Sequence, residues 1–267
     1  MQISFIGFGN MAKAMAKGLL QDVNITLSAA APSLSSGLNQ EGIKTYSNNL
    51  SVVADANVII LAVKPWQIAT VFHEIRSSLS PDCLIISIAT GIPLTWFSTQ
   101  SPGTAIIRAM PNIGAAISES ATPLIANDAV NQQQQQWAEM IFGRIGIVTW
   151  VHQEADMDAF TAFSGSGPAY VCLFIEAMIN AAERLGIPKE VAHDFALQTV
   201  NGTINILKQG EFDPQALRQQ VTSPAGTTAA AIEIFKAQGF EALIHAAMTA
   251  AYRRAQELGR STIDTKE

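Results

Sequence analysis

Gln2-Ile3-Ser4-Phe5-Ile6-Gly7-Phe8-Gly9-Asn10-Met11-Ala12 opens the chain, and its reading decides the fold. Gln2–Ile6 has the apolar character of a strand, and residues 10–20 place Met11, Met15, Gly18 and Leu19 on one helical face. Between them stands a G-x-G-x-x-A turn. Gly7 permits the tight turn, Gly9 lets the backbone approach a pyrophosphate, and the small Ala12 lets helix and strand pack closely. A strand feeding such a turn into a helix presents free N–H groups to a phosphate. Gly7, Phe8, Gly9, Asn10, Met11 and Ala12 are therefore expected at a dinucleotide, against the plainer reading in which the glycines serve only a turn.

Outward from this unit the alternation repeats. Residues 25–28, 58–63, 84–88 and 104–109 read as further strands, with helices over 66–79 and 94–99. The run Val58-Ile59-Ile60-Leu61-Ala62-Val63 is apolar throughout, as suits a parallel strand covered on both faces. Residues 124–126 and 147–151 read as later strands flanking a helix over 130–142, with the glutamines 132–136 on its wet face. Strand and helix in alternation specify an α/β, Rossmann-type doubly wound domain over residues 1–151. Over 152–267 only helices follow: 169–185, opened by Gly167-Pro168 and stopped by Gly186, then 191–207, 228–237 and 240–258. The first of these is apolar on nearly all sides, with Tyr170, Val171, Leu173, Phe174, Ile175, Met178 and Ile179. It is expected in a core or against the same helix of a second chain.

Composition narrows the function. With 48% hydrophobic and 14% charged residues, the chain is not of the disordered class. Sixteen Lys and Arg against 22 Asp and Glu give a net charge of −6 without a basic run, which speaks against a nucleic-acid partner. No unbroken apolar run approaches the ~18–20 residues that span a bilayer, and the N-terminus has no basic region before its apolar residues, so neither membrane nor secretion is expected. Cys83 and Cys172 form no CxxC pair and are expected as reduced, buried thiols of a cytoplasmic protein. His73, His152, His193 and His245 never fall at ligand spacing, so no metal is expected.

Ligands of a doubly wound sheet bind beyond the carboxyl ends of its strands. That places Lys64, after residues 58–63, near the ribose or pyrophosphate, unless it is simply a solvated loop lysine. Asn112 is expected at the carboxamide or the substrate, and Arg108 is left open as a structural residue. An NAD binder usually carries an acid about 20 residues beyond the glycine turn; here the place reads Leu27-Ser28-Ala29-Ala30-Ala31, and Ser28 can donate to a 2′-phosphate. NADP(H) is thus favoured, with NAD(H) also open. In the helical half, Val221-Thr222-Ser223-Pro224-Ala225-Gly226-Thr227-Thr228 is a hydroxyl-rich loop entering a helix. Such a loop suits a small carboxylate; N-capping by Thr227 or Thr228 is the simpler alternative.

The succession Gly7-x-Gly9-Asn10-Met11-Ala12, Ala62-Val63-Lys64-Pro65, Arg108-Ala109-Met110-Pro111-Asn112, Ser164-Gly165-Ser166-Gly167-Pro168-Ala169-Tyr170 and Ser223-Pro224-Ala225-Gly226-Thr227-Thr228 resembles the pyrroline-5-carboxylate reductases from end to end. The resemblance implies NAD(P)H-dependent reduction of the C=N bond of 1-pyrroline-5-carboxylate to L-proline, the last step of proline synthesis. It implies substrate contacts at Ser223, Gly226, Thr227 and Thr228, with the Thr228 hydroxyl at the ring nitrogen as the catalytic group. It implies cofactor contacts at the glycine turn, Ser28, Asn49, Ala62, Val63, Lys64, Pro65 and Ala89. It further implies that residues 152–267 form a substrate-binding and dimerisation domain, that each site borrows its substrate loop from the partner chain, and that five dimers often form a ring. Ala29-Ala30-Ala31 departs from the basic residue many members carry there, which keeps NADH open. A β-hydroxyacid dehydrogenase would need a lysine on the first long helix of the second domain, and residues 169–183 contain none. A non-catalytic NADPH sensor would have no use for the 223–228 loop.

Overall fold

β1 (Gln2–Ile6) lies between β2 (Thr26–Ala30) and β5 (Val58–Leu61) and pairs with both in parallel in the computed structural model, which describes residues 1–264 and their side chains through Gly259. β3 (Gly37–Leu38) and β4 (Lys44–Tyr46) extend the sheet on the β2 side. β6 (Leu84–Ser87), β7 (Ala105–Ala109), β8 (Ser120–Ala126) and β9 (Gly146–Trp150) extend it on the other, giving the order β3-β4-β2-β1-β5-β6-β7-β8-β9. From β4 to β7 all pairs are parallel, β8 runs antiparallel to β7, and β3 antiparallel to β4. The doubly wound parallel sheet is the one expected. The β3–β4 pair is an addition: two exposed residues at the sheet's edge and a three-residue strand beside them carry no apolar alternation to announce them.

Period-two alternation builds a core on each face. Ile3 and Phe5 of β1, Val58 and Ile60 of β5, and Leu84 and Ile86 of β6 meet α1 (Asn10–Leu19) and α4 (Gln132–Gly143) through Met15, Leu19, Ile141 and Phe142. Ile6, Ile59, Leu61 and Ile85 point the other way, toward α2 (Ile68–Ile75) and α3 (Leu94–Gln100) through Phe72, Ile75 and Phe97. The glutamine run is the solvated face of α4 with one exception. Gln134 is buried, accepts from the Asn131 N–H at 3.0 Å and donates to the Asp82 carbonyl at 3.2 Å.

After β9 come α5 (Glu154–Phe160), a π-helical turn (Thr161–Gly165), α6 (Gly167–Arg184), α7 (Lys189–Lys208), α8 (Pro214–Gln220), α9 (Thr227–Ala237) and α10 (Phe240–Asp264). Packing divides the chain into two compact units: Met1–Pro168 with the described residues from Ala250 onward, and Ala169–Thr249. Strands end near residue 151, yet the first unit continues because α5 buries Met157 in the second core. Within the second unit α6 and α9 have no buried residue, and Leu173 and Phe195 are 66% and 70% exposed. The helical run Glu154–Arg184 is long and apolar enough by composition to cross a membrane. Polar and small residues within it leave no unbroken apolar run, in keeping with the sequence, without removing its mean hydropathy. Cys83 is buried as expected, whereas Cys172 is exposed on α6.

Candidate nucleotide cradle and anion loop

β1 stops at Ile6, and the next residue has φ of +85°, a conformation that favours glycine. Gly7 donates its N–H to the Ala30 carbonyl at 2.8 Å. A Cβ on Gly7 would lie 2.8 Å from both the Ala62 oxygen and Val63 Cγ1, so the position is closed to side chains twice over. Gly9 differs. It is the N-cap of α1 with ordinary extended dihedrals, and a Cβ there would meet nothing within 4 Å. Among the described residues no side chain caps α1 and no acid stands in its first turn. Uncapped N–H groups thus open onto free space at the sheet's switch point, between β2 and β5, which fits a pyrophosphate. Ala12 is buried, as close helix–strand packing requires, while Phe8 and Met11 pack partly into the first core and Asn10 is exposed.

The neighbouring strand ends show what the sequence placed well and what it did not. Ala62 and Val63 adjoin Gly7, and the exposed Lys64 precedes a short turn (Pro65–Gln67), its N–H donating to Gln67 Oε1 at 3.2 Å. Asn49 is half-buried and donates through Nδ2 to Glu74 Oε2 at 2.8 Å. Ala89, just beyond β6, is buried. Ser28 must be corrected: it is 3% exposed, and its hydroxyl bonds Ser4 Oγ at 2.9 Å and accepts from Gln2 Nε2 at 3.1 Å. β2 runs on to Ala30, so Ser28 is inside the sheet rather than at its mouth. Asn112 is anchored to the protein: its Oδ1 accepts from the Gly114 N–H at 3.0 Å and one N–H of its Nδ2 donates to the Ser164 carbonyl at 2.9 Å, which leaves the second N–H of the amide.

Arg108 turns out to be a buried structural cation. It pairs with Glu154, whose other oxygen accepts from the Leu94 N–H at 2.6 Å, tying β7, α5 and the start of α3 together. Burial pulls the Arg108 guanidinium down to about 10, with Asp158 opposing. Burial also raises the Asp158 carboxyl, against the pull of Arg108. This cluster and the π turn gripped by Asn112 were not foreseen. An Arg buried in an apolar strand is the one signal in the sequence, since such a charge needs a carboxylate partner.

In the second unit, residues 223–228 form a tight loop into α9. Gly226 is the N-cap, and no side-chain cap is present, so capping by Thr227 or Thr228 is not what this loop does. A Cβ on Gly226 would run into Ser223 Oγ. Ala225 has φ of +56°, one of two non-glycine residues in the left-handed region among the described residues. The Ser223 and Thr227 side chains are exposed and Thr228 is half-buried. The loop thus offers hydroxyls beside an open helix N-terminus, at the expense of local backbone strain.

A family model described as pyrroline-5-carboxylate reductase dimerisation matches residues 154–258, and one described as NADP oxidoreductase, coenzyme F420-dependent, matches residues 2–91. A pyrroline-5-carboxylate reductase of Pseudomonas aeruginosa is 40% identical over 266 residues, covering 96% of each chain. Among solved structures, a pyrroline-5-carboxylate reductase from Coxiella burnetii superposes with a TM-score of 0.88 at 37% identity, covering 96% of this chain and 97% of that one. The Plasmodium falciparum pyrroline carboxylate reductase with NADP bound gives 0.87 at 29% identity, covering 97% and 98%.

Proposed function

This chain belongs to the pyrroline-5-carboxylate reductase family, and from that premise we propose how its residues divide the reduction of 1-pyrroline-5-carboxylate to L-proline. The cradle at Gly7 and Gly9, with the N–H groups at the start of α1, holds the pyrophosphate of NAD(P)H. Ala62, Val63, Lys64, Pro65 and Ala89 line its path along the strand ends. NADPH is the favoured cofactor: no carboxylate stands between Ser28 and Ser36 to repel a 2′-phosphate, and exposed hydroxyls at Ser33, Ser35 and Ser36 stand there instead.

When bound, the reduced nicotinamide supplies a hydride to the imine carbon, and the C=N electron pair passes to nitrogen, giving the ring amine. Ser223 Oγ and the N–H groups of Thr227 and Thr228 receive the substrate carboxylate, and the Thr228 hydroxyl faces the ring nitrogen. A protonated cyclic imine is already a good hydride acceptor. The protein therefore acts mainly by proximity and orientation, and the Thr228 hydrogen bond strengthens as the nitrogen changes character.

The second unit self-associates through its apolar surface, which includes a groove of about 920 Å3 lined by Phe174, Ile232, Phe235 and Phe240. A homodimer is the unit we propose, assembling further into a ring of five dimers, in the cytoplasm. The observation that carries the reading is the uncapped, strained loop at 223–228, whose hydroxyls no capping role consumes. Thr228→Ala should lower kcat about tenfold, the scale of one functional hydrogen bond at ~1.4 kcal/mol. Ser223→Ala should chiefly raise KM, because carboxylate binding is nearly equal in ground and transition states. If both variants reduce the imine at wild-type kcat/KM, the active site lies elsewhere.

A further inference from the structure

The loop after β6, residues 89–92, is held from two directions. On one side the Thr90 hydroxyl lies 3.6 Å from Met110 Sδ, at the end of β7. On the other, the backbone of Gly91 meets the backbone of Gly259 on α10. A Cβ on Gly91 would lie 3.0 Å from the Gly259 nitrogen and 3.2 Å from the Leu258 carbonyl carbon. A Cβ on Gly259 would lie 3.0 Å from the Gly91 oxygen. Gly91 also has φ of +81° and is buried, so it is closed to a side chain, whereas a methyl group at Gly259 is admitted only if the 89–92 loop gives by a few tenths of an ångström. One helical turn before Gly259, Ala255 is 3% exposed, so this stretch of α10 is seated rather than free. Gln256 and Gly259 line an open cavity of about 190 Å3 together with Gly91, Arg108, Glu154 and Asp158.

The function described above has no use for this seat. Yet the loop it fixes follows the strand next to β5 and begins with Ala89, at the edge of the sheet where ligands bind. We propose that Gly259 is a positioning residue for the cofactor: its glycine-on-glycine contact sets the 89–92 loop, and through Ala89 the nicotinamide half of the nucleotide. Met110 cannot fix the loop alone, because a flexible thioether yields to displacement, whereas a backbone contact with no intervening side chain does not. The proposal rests on the nucleotide-binding half of the functional reading and not on the identity of the substrate.

Gly259→Ala in the full-length protein tests it. Alanine is the better helix former at a helical position, which offsets the cost of the 3.0 Å approach to the Gly91 oxygen, and a merely structural Gly259 would show in Tm while leaving NADPH binding alone. The expected result is the reverse. Tm stays near wild type, while the NADPH Kd from fluorescence titration rises about three- to tenfold, as displacements of a few tenths of an ångström at a positioning loop can do. KM for the imino acid stays as in wild type. A chain ended after Glu257 removes the seat without inserting anything and should weaken NADPH in the same way. Wild-type NADPH affinity in both variants overturns the proposal, as does a loss of kcat with unchanged Kd. Wild type that binds NADPH without reducing the imine would instead overturn the substrate assignment, and Gly259→Ala would still report on the seat.

Discussion

Gly7 and Gly9 stand two residues apart in the same turn and are glycine for different reasons. Gly7 has a positive φ and is walled in by the Ala62 carbonyl, so Gly7→Ala should cost about 1–3 kcal/mol of stability through strain and overlap, measured by denaturant unfolding. Gly9 faces open space, so Gly9→Val should fold as wild type yet lose NADPH binding in titration. A Gly9→Val protein with unchanged NADPH affinity would remove the pyrophosphate from the cradle. Cys83 shows how far burial shifts a group: against a hydrogen bond with the Ile59 backbone that pulls the other way, it pushes the thiol up to about 12 from 9.0. Its folded-state pKa is raised, so its contribution to stability is complete below pH 9 and is lost as the pH climbs through about 12. Native protein should leave Cys83 unlabelled by iodoacetamide at neutral pH until the chain is unfolded.

At the scale of elements, legibility followed burial. β1, β5, β6 and β7 could be read because strands covered on both faces are apolar without interruption. β3 and β4 could not, since an exposed edge imposes no pattern. α8 escaped notice although Asp213 caps it, accepting from the Ala216 N–H at 2.7 Å, with Pro214 at its first position; that Asp-Pro pair was the available signal. The glycine turn and the 223–228 loop were legible as local chemistry. Ser28 was misplaced because the second strand, read over 25–28, continues to Ala30, and two residues separate a sheet interior from a ligand edge. The anchoring of Asn112 was not legible, because no local pattern reveals that a carbonyl 52 residues away will bind its amide. The Arg108–Glu154 pair is the element-scale tie most open to test. Glu154→Ala leaves a buried guanidinium with Asp158 as its remaining carboxylate and the Leu94 N–H without its acceptor, which should cost up to about 3–5 kcal/mol. Urea denaturation that moves by less than 1 kcal/mol would mean the pair behaves as a surface one.

On the scale of the whole molecule, the question is which chain supplies which half of a site. The cradle belongs to the first compact unit and the 223–228 loop to the second, and the second unit carries the apolar surface matched to dimerisation. If each cradle works with the loop of its dimer partner, two impaired variants can rescue each other. Gly9→Val destroys a cradle and leaves a sound loop; Thr228→Ala cripples a loop and leaves a sound cradle. In a mixed dimer with shared sites, one site collects both lesions and the other collects none. Random re-pairing of the two variants after dissociation makes half of the dimers mixed, so the mixture should recover about a quarter of wild-type activity. If cradle and loop act within one chain, every site in the mixed dimer keeps one lesion and nothing is recovered. Mixing without dissociation serves as the control, because it leaves the parental dimers intact. A mixture no more active than the mean of its two parents would therefore refute the shared site while leaving the cradle and the loop individually assigned.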